Sequence, residues 1–222
     1  MLDLSASFAV RKEKKMLELN PSCRSIPQDL VERYRAVDTS SIGHLTTEGY
    51  IRNIKAQTKC SRLLGHVVTV TLHGTDGSAL YHALINSRPG DVLVISMPNH
   101  AEYACWGELR TIAAMIKGVV GIVTNACVTD IRALQDLPFP VFAKGMSSVT
   151  TQKSDLGGKI NTPAVIDSQE IHPGDMVIGD EDGLFILSPD QSARLIDPVL
   201  EKQAQDERKR LELLAKLAES RR

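Results

Sequence analysis

Several motifs that define common protein classes are absent from this sequence of 222 residues. No GxGxxG, Walker P-loop, HExxH or GxSxG segment occurs, so the usual sequence support for dinucleotide, nucleoside triphosphate, zinc-protease and serine-hydrolase sites is missing. The sequence holds only 4 cysteines, and none of them forms a CxxC pair. We therefore predict free thiols in a reducing compartment, and neither a zinc finger nor a zinc ribbon.

An excess of charge of either sign is also lacking. With 26 basic and 27 acidic residues the formal net charge is −1, so composition gives no support for a nucleic-acid partner. The longest apolar stretch, residues 112–123, is interrupted by Lys117 and Gly118 and is too short to span a bilayer. The N-terminus does not have the pattern of a signal peptide, and we expect a cytoplasmic protein without a membrane partner.

Strand-like and helix-like segments alternate through much of the chain. The strand patterns are GHVVTVTLHG, DVLVIS and VVGIVT, and helical patterns cover residues 27–50, SALYHALINS and residues 103–117. This alternation predicts a single α/β domain over residues 27–188, preceded by a variable leader, residues 1–26. After FPVFAKG the sequence predicts short strands and tight turns, with no linker that would separate a second domain.

The predicted helix over residues 103–117 has two candidate starting points in the sequence. One is a capping box formed by Asn99 and Glu102, and the other lies near Gly107. Gly118 is predicted to end the helix. Its apolar stripe consists of Leu109, Ile112, Ala113 and Ile116.

A long charged helix is predicted at the C-terminus, over residues 189–222. Its i, i+4 charge pairs flank a thin apolar seam of Leu211, Leu214 and Leu217. The seam allows two interpretations, which are a solvated terminal helix and a helix that packs on another subunit.

Two polar loops follow predicted strands, at the position where α/β proteins place ligands. The first, SMPNHAEYACWGELR, contains His100 and Glu108, and the second, NACVTD, ends at Asp130. If the two strands are parallel neighbours, the two carboxylates converge and could hold a magnesium ion through oxygen and water. The alternative is structural, with Glu108 at a helix start and Asp130 as a helix N-cap.

Several blocks of the sequence, in order, resemble a known family. They are RPGDVLVIS, GELRTIAAMIKGVVGIVTNACVTD, LPFPVFAKG and PGDMVIGDEDGLFILSP. Together they are similar to the family that includes ribonuclease-activity regulator A and 4-hydroxy-4-methyl-2-oxoglutarate aldolase, over roughly residues 38–210. The resemblance implies a swivelling, phosphohistidine-domain-like α/β sandwich with a long C-terminal helix. It also implies trimers or hexamers with sites at subunit boundaries.

The family's enzymes carry an acidic residue, twenty intervening residues and then Arg-Asp. Here Glu108 is followed by twenty residues and then Thr129-Asp130. By resemblance, Asp130 binds a Mg²⁺ or Mn²⁺ ion and Glu108 supports the water shell of that ion. The backbone amides around Gly107 and Leu109 would bind the pyruvate-like part of the substrate.

Thr129 departs from the family pattern. The arginine that stands there in the enzymes reads the substrate's carboxylate with a charged, bidentate fork, whereas threonine offers one neutral hydroxyl. Arg110 or Arg132 could supply the missing charge, and a solvent-facing arginine is the alternative for each. His100 is a further candidate for substrate binding because of its place in the first loop.

Other departures from the family pattern lie near the motif. Asn125 and Ala126 stand where Asp-Gly is usual, and His44 stands where the family has an aspartate in an early helix. The aldolases also take an acid from a neighbouring subunit's tail. Glu201 and Glu207 are candidates for that acid.

The sequence therefore supports two classes of function. The first is a divalent-metal-dependent lyase that cleaves or decarboxylates a small 2-oxo acid through a metal-stabilised enolate, with altered substrate recognition because of Thr129. The second is a non-catalytic regulatory or binding protein similar to the ribonuclease regulator branch. A changed reaction on the same scaffold is a third hypothesis, and the presence of Glu108 and Asp130 favours an enzyme.

Overall fold

The computed structural model of the protein describes residues 17–221. Helices and strands alternate up to about residue 143, and the C-terminal half before the last helix is mostly β-structure. The helices are α1 (Gln28–Arg33), α2 (Thr39–Gly43), α3 (Ser78–Asn86), α4 (Glu108–Ile116), α5 (Ile131–Asp136) and α6 (Pro189–Glu219). The strands are β1 (Leu17–Leu19), β2 (Lys55–Ala56), β3 (Leu63–Leu72), β4 (Asp91–Ser96), β5 (Ala104–Trp106), β6 (Gly121–Thr124), β7 (Cys127–Val128), β8 (Val141–Ala143), β9 (Gly145–Met146), β10 (Gly158–Ile160), β11 (Ala164–Ile166), β12 (Gln169–Ile171), β13 (Met176–Gly179) and β14 (Leu184–Leu187).

A nine-stranded mixed sheet forms the centre of the structure, in the order β1-β10-β3-β4-β6-β8-β2, with β13 also paired to β3 and β14 to β13. Strands β3, β4, β6 and β8 are parallel neighbours. Successive residues of β4 enter different hydrophobic clusters, since Leu93 and Ile95 pack in one cluster and Val92 and Val94 in another. The strand is buried on both faces, which explains its unbroken apolar sequence.

The α/β prediction is confirmed, and so is the C-terminal helix. The more specific description as a phosphohistidine-domain-like sandwich stays a prediction, as does the division into leader, domain and tail. Residues 1–16 of the predicted leader lie outside the described residues. Leu17–Leu19 form β1, which pairs in parallel with β10 at the edge of the main sheet.

The region predicted as helical over residues 27–50 is divided into shorter pieces. After α1 a 3₁₀ turn covers Tyr34–Ala36, and Val37 and Asp38 are then extended before α2 begins. The hydroxyl of Tyr34 is buried and donates to the carbonyl of Ser192 at 2.8 Å. Burial of Tyr34, Val37 and Ile42 against α6 therefore decides this path, which helical periodicity alone did not show.

The predicted start of the next helix at residue 103 is wrong. Residues 104–106 form β5, which pairs in parallel with β7, and α4 begins at Glu108 directly after Gly107. Gly118, with φ of 76°, ends the helix as predicted. Most of the apolar stripe of α4 faces outward, because Leu109 is 80% exposed and Ile116 is 79% exposed, whereas Ala113 packs against the core.

The last helix begins where the sequence placed it. Ser188 and Gln191 form a capping box at its start, and the first half packs on the domain through buried Leu195, Ile196 and Val199. The seam of Leu211, Leu214 and Leu217 is exposed within this chain. Within residues 17–221 no helix is both long enough and apolar enough to cross a membrane.

Candidate active site

A small three-stranded sheet, in the order β5-β7-β9, brings the two predicted loops together. Because β5 and β7 are parallel, the segments that follow them leave the sheet at the same edge. The backbone N–H of Thr129 donates to the carbonyl of Trp106 at 2.9 Å. One step further, the N–H of Glu108 donates to Oδ2 of Asp130 at 3.1 Å. The first residue of α4 and the residue before α5 therefore meet, as predicted for two loops that follow parallel neighbouring strands.

Asp130 has a backbone conformation that is unusual for a residue with a side chain. Its φ of 56° and ψ of 34° lie in the left-handed region, and its carboxylate makes no capping hydrogen bond to α5. The carboxylate reaches across to Glu108 instead. Asp130 therefore occupies the N-cap position that the structural alternative predicted, but its side chain does not cap α5. Strained backbone of this kind costs about 1–3 kcal/mol and is concentrated at functional sites.

Gly107 leaves the space that the Asp130 carboxylate occupies. A Cβ at this position would lie 2.9 Å from Cγ2 of Thr129 and closer still to Oδ2 of Asp130. Gly107 has an extended backbone, with φ of −162°, so steric space and not conformational freedom requires glycine here. The glycine allows the Asp130 carboxylate to approach the beginning of α4.

An open cavity of about 380 Å³ lies at this edge, and we refer to it as the central cavity. Five residues predicted to form the site line it: Gly107, Leu109, Arg110, Thr129 and Asp130. Asp130 is the single carboxylate among the described residues that line it. Glu108 lies beside the cavity and contacts Asp130 through its backbone, with a partly exposed side chain.

Arg110 is partly buried in the wall of the central cavity. Its Nη1 donates to the carbonyl of Cys105 at 2.7 Å, and burial lowers the pKa of the guanidinium below its usual value. An arginine pKa is so high that the group remains charged. Arg132, the other candidate, is exposed on α5 and is not part of the cavity lining. The solvent-facing interpretation therefore holds for Arg132 but is wrong for Arg110.

The structure does not bring the remaining candidates into the central cavity. His100 lies outside its lining, with Nδ1 4.0 Å from a carboxylate oxygen of Glu102. His44 is exposed directly after α2, and Glu201 and Glu207 are exposed on α6. Asn125 has a structural contact, since its Oδ1 accepts a hydrogen bond from the N–H of Met97 at 2.8 Å.

Four lining residues were not predicted from the sequence: Ala104, Trp106, Thr150 and Thr151. The backbone N–H of Thr151 donates to the carbonyl of Ala104 on β5, so the segment after β9 is held against the site. The Thr151 hydroxyl is buried and has no hydrogen-bond partner within the described residues. A buried hydroxyl without a partner is unusual. In the sequence these threonines belong to a turn-rich segment without a motif.

The donor groups fit a hard divalent cation better than zinc. Within residues 17–221 no cluster of three or more His, Cys, Asp or Glu side chains is placed to hold a metal ion. A structural zinc site needs four such ligands, whereas Mg²⁺ commonly uses one or two carboxylates and takes water or substrate oxygens for the rest. Asp130 beside an open cavity matches the second arrangement.

Comparisons with known proteins give a consistent family. Over 181 residues the chain is 29% identical to a protein of Halalkalibacterium halodurans that is provisionally named 4-hydroxy-4-methyl-2-oxoglutarate aldolase, covering 81% of this chain and 86% of that protein. It is 28% identical over 129 residues to the 4-hydroxy-4-methyl-2-oxoglutarate aldolase of Thermus thermophilus, covering 57% of this chain and 76% of the relative.

A solved structure has the same fold. It is Streptomyces coelicolor RraAS2, described as an unusual member of the RNase ES inhibitor RraA protein family, which superimposes with a TM-score of 0.74. The identity is 21%, and the match covers 84% of this chain and 99% of that one. The family model described as "RraA-like: Aldolase/RraA" matches residues 35–186. The chain therefore belongs to the RraA-like family, whose members include proteins named as aldolases and proteins named as ribonuclease inhibitors.

Proposed function

We propose that this protein is a divalent-metal-dependent lyase that acts on a small 2-oxo acid. The observation that carries the proposal is the Asp130 carboxylate, held in a left-handed backbone conformation at the rim of a cavity that also contains the Arg110 guanidinium. Strained backbone of this kind is concentrated at functional sites, which supports a role for Asp130 beyond structure. The names of the aldolase relatives support the same reaction class.

In this proposal each residue of the chain has a separate task. Asp130 would hold a Mg²⁺ or Mn²⁺ ion, and the N–H of Glu108 fixes the orientation of its carboxylate. The cation, when bound, supplies Lewis-acid polarisation of the 2-oxo acid. The backbone around Gly107 and Leu109 would position the pyruvate-like part of the substrate. The Glu108 side chain, beside this point, is the proposed acid–base group that moves the proton.

Arg110 is proposed to replace the charge that Thr129 cannot provide. Both side chains line the central cavity, and within the described residues no acceptor lies on Nη2 of Arg110. That nitrogen is therefore free to donate to a substrate carboxylate, and a charged donor of this kind is roughly twice as strong as a neutral hydroxyl. A substrate whose carboxylate binds to Arg110 would lie in a different position in the cavity from one whose carboxylate binds to the side chain of residue 129. We therefore propose an altered substrate preference.

We also propose a homo-oligomeric assembly, a trimer or a hexamer, in the cytoplasm. The outward stripe of α4 begins at the central cavity, where Leu109 lies, and continues to Ile116 at the other end of the helix. Exposed apolar patches of this kind commonly mark contact surfaces between proteins. A second copy of the chain against α4 would enclose the cavity and exclude water from it.

The second candidate is a non-catalytic binding protein. Thr129 in the central cavity favours it, because a site that only binds a partner does not need a charged group at that position. The resemblance in fold to a protein of the ribonuclease inhibitor family supports this candidate as well. The two candidates differ in their need for the cation.

The deciding experiment measures pyruvate formation from oxaloacetate and from a 4-hydroxy-2-oxo acid, first with Mg²⁺ or Mn²⁺ and then with a chelator. We expect turnover that requires the cation and is lost in Asp130→Asn. Asparagine is the preferred substitution because it tolerates the left-handed conformation better than alanine does. Free metal ions also decarboxylate oxaloacetate. The rate measured with Asp130→Asn at the same cation concentration gives this background, which is subtracted.

A matched pair of arginine variants tests the role of Arg110. We expect Arg110→Met to reduce kcat/KM by about tenfold or more, the loss of one charged hydrogen bond. Arg132→Met should leave kcat/KM unchanged, since Arg132 is exposed outside the cavity. Turnover by well-folded Asp130→Asn at the wild-type rate would contradict the lyase proposal. Absence of turnover by the wild-type protein with either cation would favour the binding role.

A further inference from the structure

Trp106, the single tryptophan of the sequence, lines the central cavity but has no role in the proposed reaction. It is the last residue of β5 and is fully buried. Its indole N–H donates to the hydroxyl of Thr111, in the first turn and a half of α4, at 2.8 Å. Thr111 is fully buried as well and does not line the cavity. A buried indole N–H usually has a partner, so a functional role needs further support from the contacts of Thr111.

The Thr111 hydroxyl connects the indole to the beginning of α4. Its Oγ1 donates to the carbonyl of Gly107 at 3.0 Å, and the backbone N–H of Thr111 donates to the same carbonyl at 3.1 Å. A hydroxyl has one proton, so with that proton directed at Gly107 it accepts the indole N–H of Trp106. The hydrogen bonds therefore run in one direction, from Trp106 through Thr111 to Gly107.

The Gly107 carbonyl belongs to the same peptide unit as the N–H of Glu108. Because a peptide unit is planar and trans, its C=O and its N–H point in opposite directions. Here the C=O accepts two hydrogen bonds from Thr111, and the N–H donates to Oδ2 of Asp130 at 3.1 Å. A rotation of this peptide away from Thr111 would also turn its N–H away from the Asp130 carboxylate. Glycine restricts such a rotation less than other residues do, so contacts with neighbours have to prevent it.

The two preceding carbonyls hold other parts of the candidate site. The carbonyl of Cys105 accepts from Nη1 of Arg110 at 2.7 Å, and the carbonyl of Trp106 accepts from the N–H of Thr129 at 2.9 Å. Three successive carbonyls therefore bind the guanidinium, the residue before Asp130 and the first turn of α4. The orientation of residues 105–107 thus affects every part of the site, and the indole of Trp106 holds this segment against α4 inside the core.

We propose that Trp106 and Thr111 are positioning residues for the Asp130 carboxylate. Their hydrogen bonds fix the peptide between Gly107 and Glu108, and the N–H of that peptide fixes the direction of the carboxylate. Hydrogen bonds that follow one another in a buried chain polarise each other, so a donor on the carbonyl also strengthens the N–H of the same peptide as a donor. The effect on a cation and on turnover rests on the proposed lyase function, whereas the effect on the peptide does not.

Valine and serine at position 111 separate the hydroxyl from the volume of the side chain. Thr111→Val removes the hydroxyl at nearly constant volume, and Thr111→Ser keeps it. Thr58→Val is the matched control, since Thr58 is buried outside the central cavity. Its hydroxyl donates to the carbonyl of Phe139 and accepts from the N–H of Val141, both at 3.1 Å. Each valine variant loses one buried, hydrogen-bonded hydroxyl, so we expect similar decreases in Tm.

The first measurement is the proton chemical shift of the Glu108 amide in the cation-free protein, by NMR. We expect an upfield shift in Thr111→Val, because the hydrogen bond to Asp130 is weakened, and shifts close to the wild-type value in Thr111→Ser and Thr58→Val. The single indole N–H resonance, that of Trp106, should also move in Thr111→Val and so report the loss of its acceptor. A wild-type Glu108 shift in Thr111→Val would overturn the proposal, as would an equal change in Thr58→Val.

The second measurement is Mn²⁺ affinity, followed by electron paramagnetic resonance. We expect about tenfold weaker binding by Thr111→Val, which is a typical loss when a group that orients a metal ligand is removed. Thr111→Ser and Thr58→Val should bind like the wild type. Pyruvate release by Thr111→Val should be reduced at low Mn²⁺ concentration and recover at high concentration. Wild-type Mn²⁺ affinity in Thr111→Val would contradict the proposal, because a carboxylate with a changed direction should hold the ion less well.

The two measurements distinguish a failure of this inference from a failure of the lyase proposal. If the wild type neither binds Mn²⁺ nor releases pyruvate, the lyase proposal is wrong, and the Glu108 amide shift alone decides the role of Thr111. If the wild type does both, and Thr111→Val keeps the wild-type amide shift and Mn²⁺ affinity, the lyase proposal stands and the positioning role is wrong.

Discussion

Replacement of Gly107 by alanine would place one methyl group where the Asp130 carboxylate now lies. The added Cβ would approach Oδ2 of Asp130 so closely that the carboxylate must move by about 1 Å to reach an ordinary van der Waals distance. The backbone of Gly107 is extended and accepts alanine without strain, so the change acts on the positions of the Asp130 and Thr129 side chains. It therefore tests whether the geometry of the site, and not only its composition, determines activity.

The expected losses differ between activity and stability. Asp130 is exposed, so its side chain can move outward, and the main cost to folding is the hydrogen bond from Glu108, about 1.5 kcal/mol. For a chain of this size that corresponds to a decrease in Tm of about 5 °C. A displacement of about 1 Å in a reacting group can reduce kcat/KM by about 100-fold. Misplacement of a group that supports a cation lowers metal affinity by roughly 10- to 100-fold.

The assay combines Mn²⁺ binding, followed by electron paramagnetic resonance, with pyruvate release and thermal unfolding. Gly145→Ala is the matched control, because a Cβ there would have its nearest neighbour, Sγ of Cys127, at 4.0 Å. We expect Gly145→Ala to behave like the wild type in all three measurements. Wild-type Mn²⁺ affinity in Gly107→Ala would refute the role of Gly107, and a fall in Tm of the same size in both variants would show a general effect on folding.

Two further predictions concern stability and assembly. Burial raises the pKa of the Asp76 carboxyl, but hydrogen bonds from Ser154, Ser78 and Leu156 outweigh burial and bring the pKa below its ordinary value of 3.8. The stabilisation that this carboxylate gives is therefore present above pH 3.8 and is lost as the pH falls further. Asp76→Asn should lower the free energy of unfolding by about 2 kcal/mol at pH 7, and in urea titrations this difference should shrink towards pH 3. Light scattering should give a trimer or a hexamer, with smaller particles for Ile116→Glu. A wild-type monomer at micromolar concentration would contradict the proposed assembly.

Local patterns in the sequence were sufficient for much of the fold. The apolar runs of β4 and β6 predict buried strands, and the pattern of SALYHALINS predicts α3, because period and composition depend on residues close together in the chain. The loops that follow β4 and β6 were expected at one edge of the sheet, and Asp130 does lie beside the first turn of α4. The sequence alone therefore determined the strand–helix order, whereas the resemblance to the family's motif singled out the acidic pair of the candidate site.

Contacts between distant segments decided the rest. Residues 104–106 form a strand and not the first turn of a helix, because their backbone pairs with β7 and with the segment after β9. The direction of the α4 stripe also follows from tertiary packing, since periodicity shows that a stripe exists but not what covers it. For the same reason the predicted helical region before residue 50 is broken where it packs on α6.

The candidate site divides in the same way. Its acids were found from their place in the two loops and from the family resemblance, whereas the position of Arg110 in the cavity wall depends on the burial of its side chain beside Gly77 and Cys105. Thr151 joins the site from a later segment, and Asp76, more than 75 residues away along the chain, accepts hydrogen bonds from the N–H groups of Ser154 and Leu156 just after it. Sequence patterns show local periodicity and motif spacing, but only the folded chain determines which side chains from distant parts of the sequence line the same cavity.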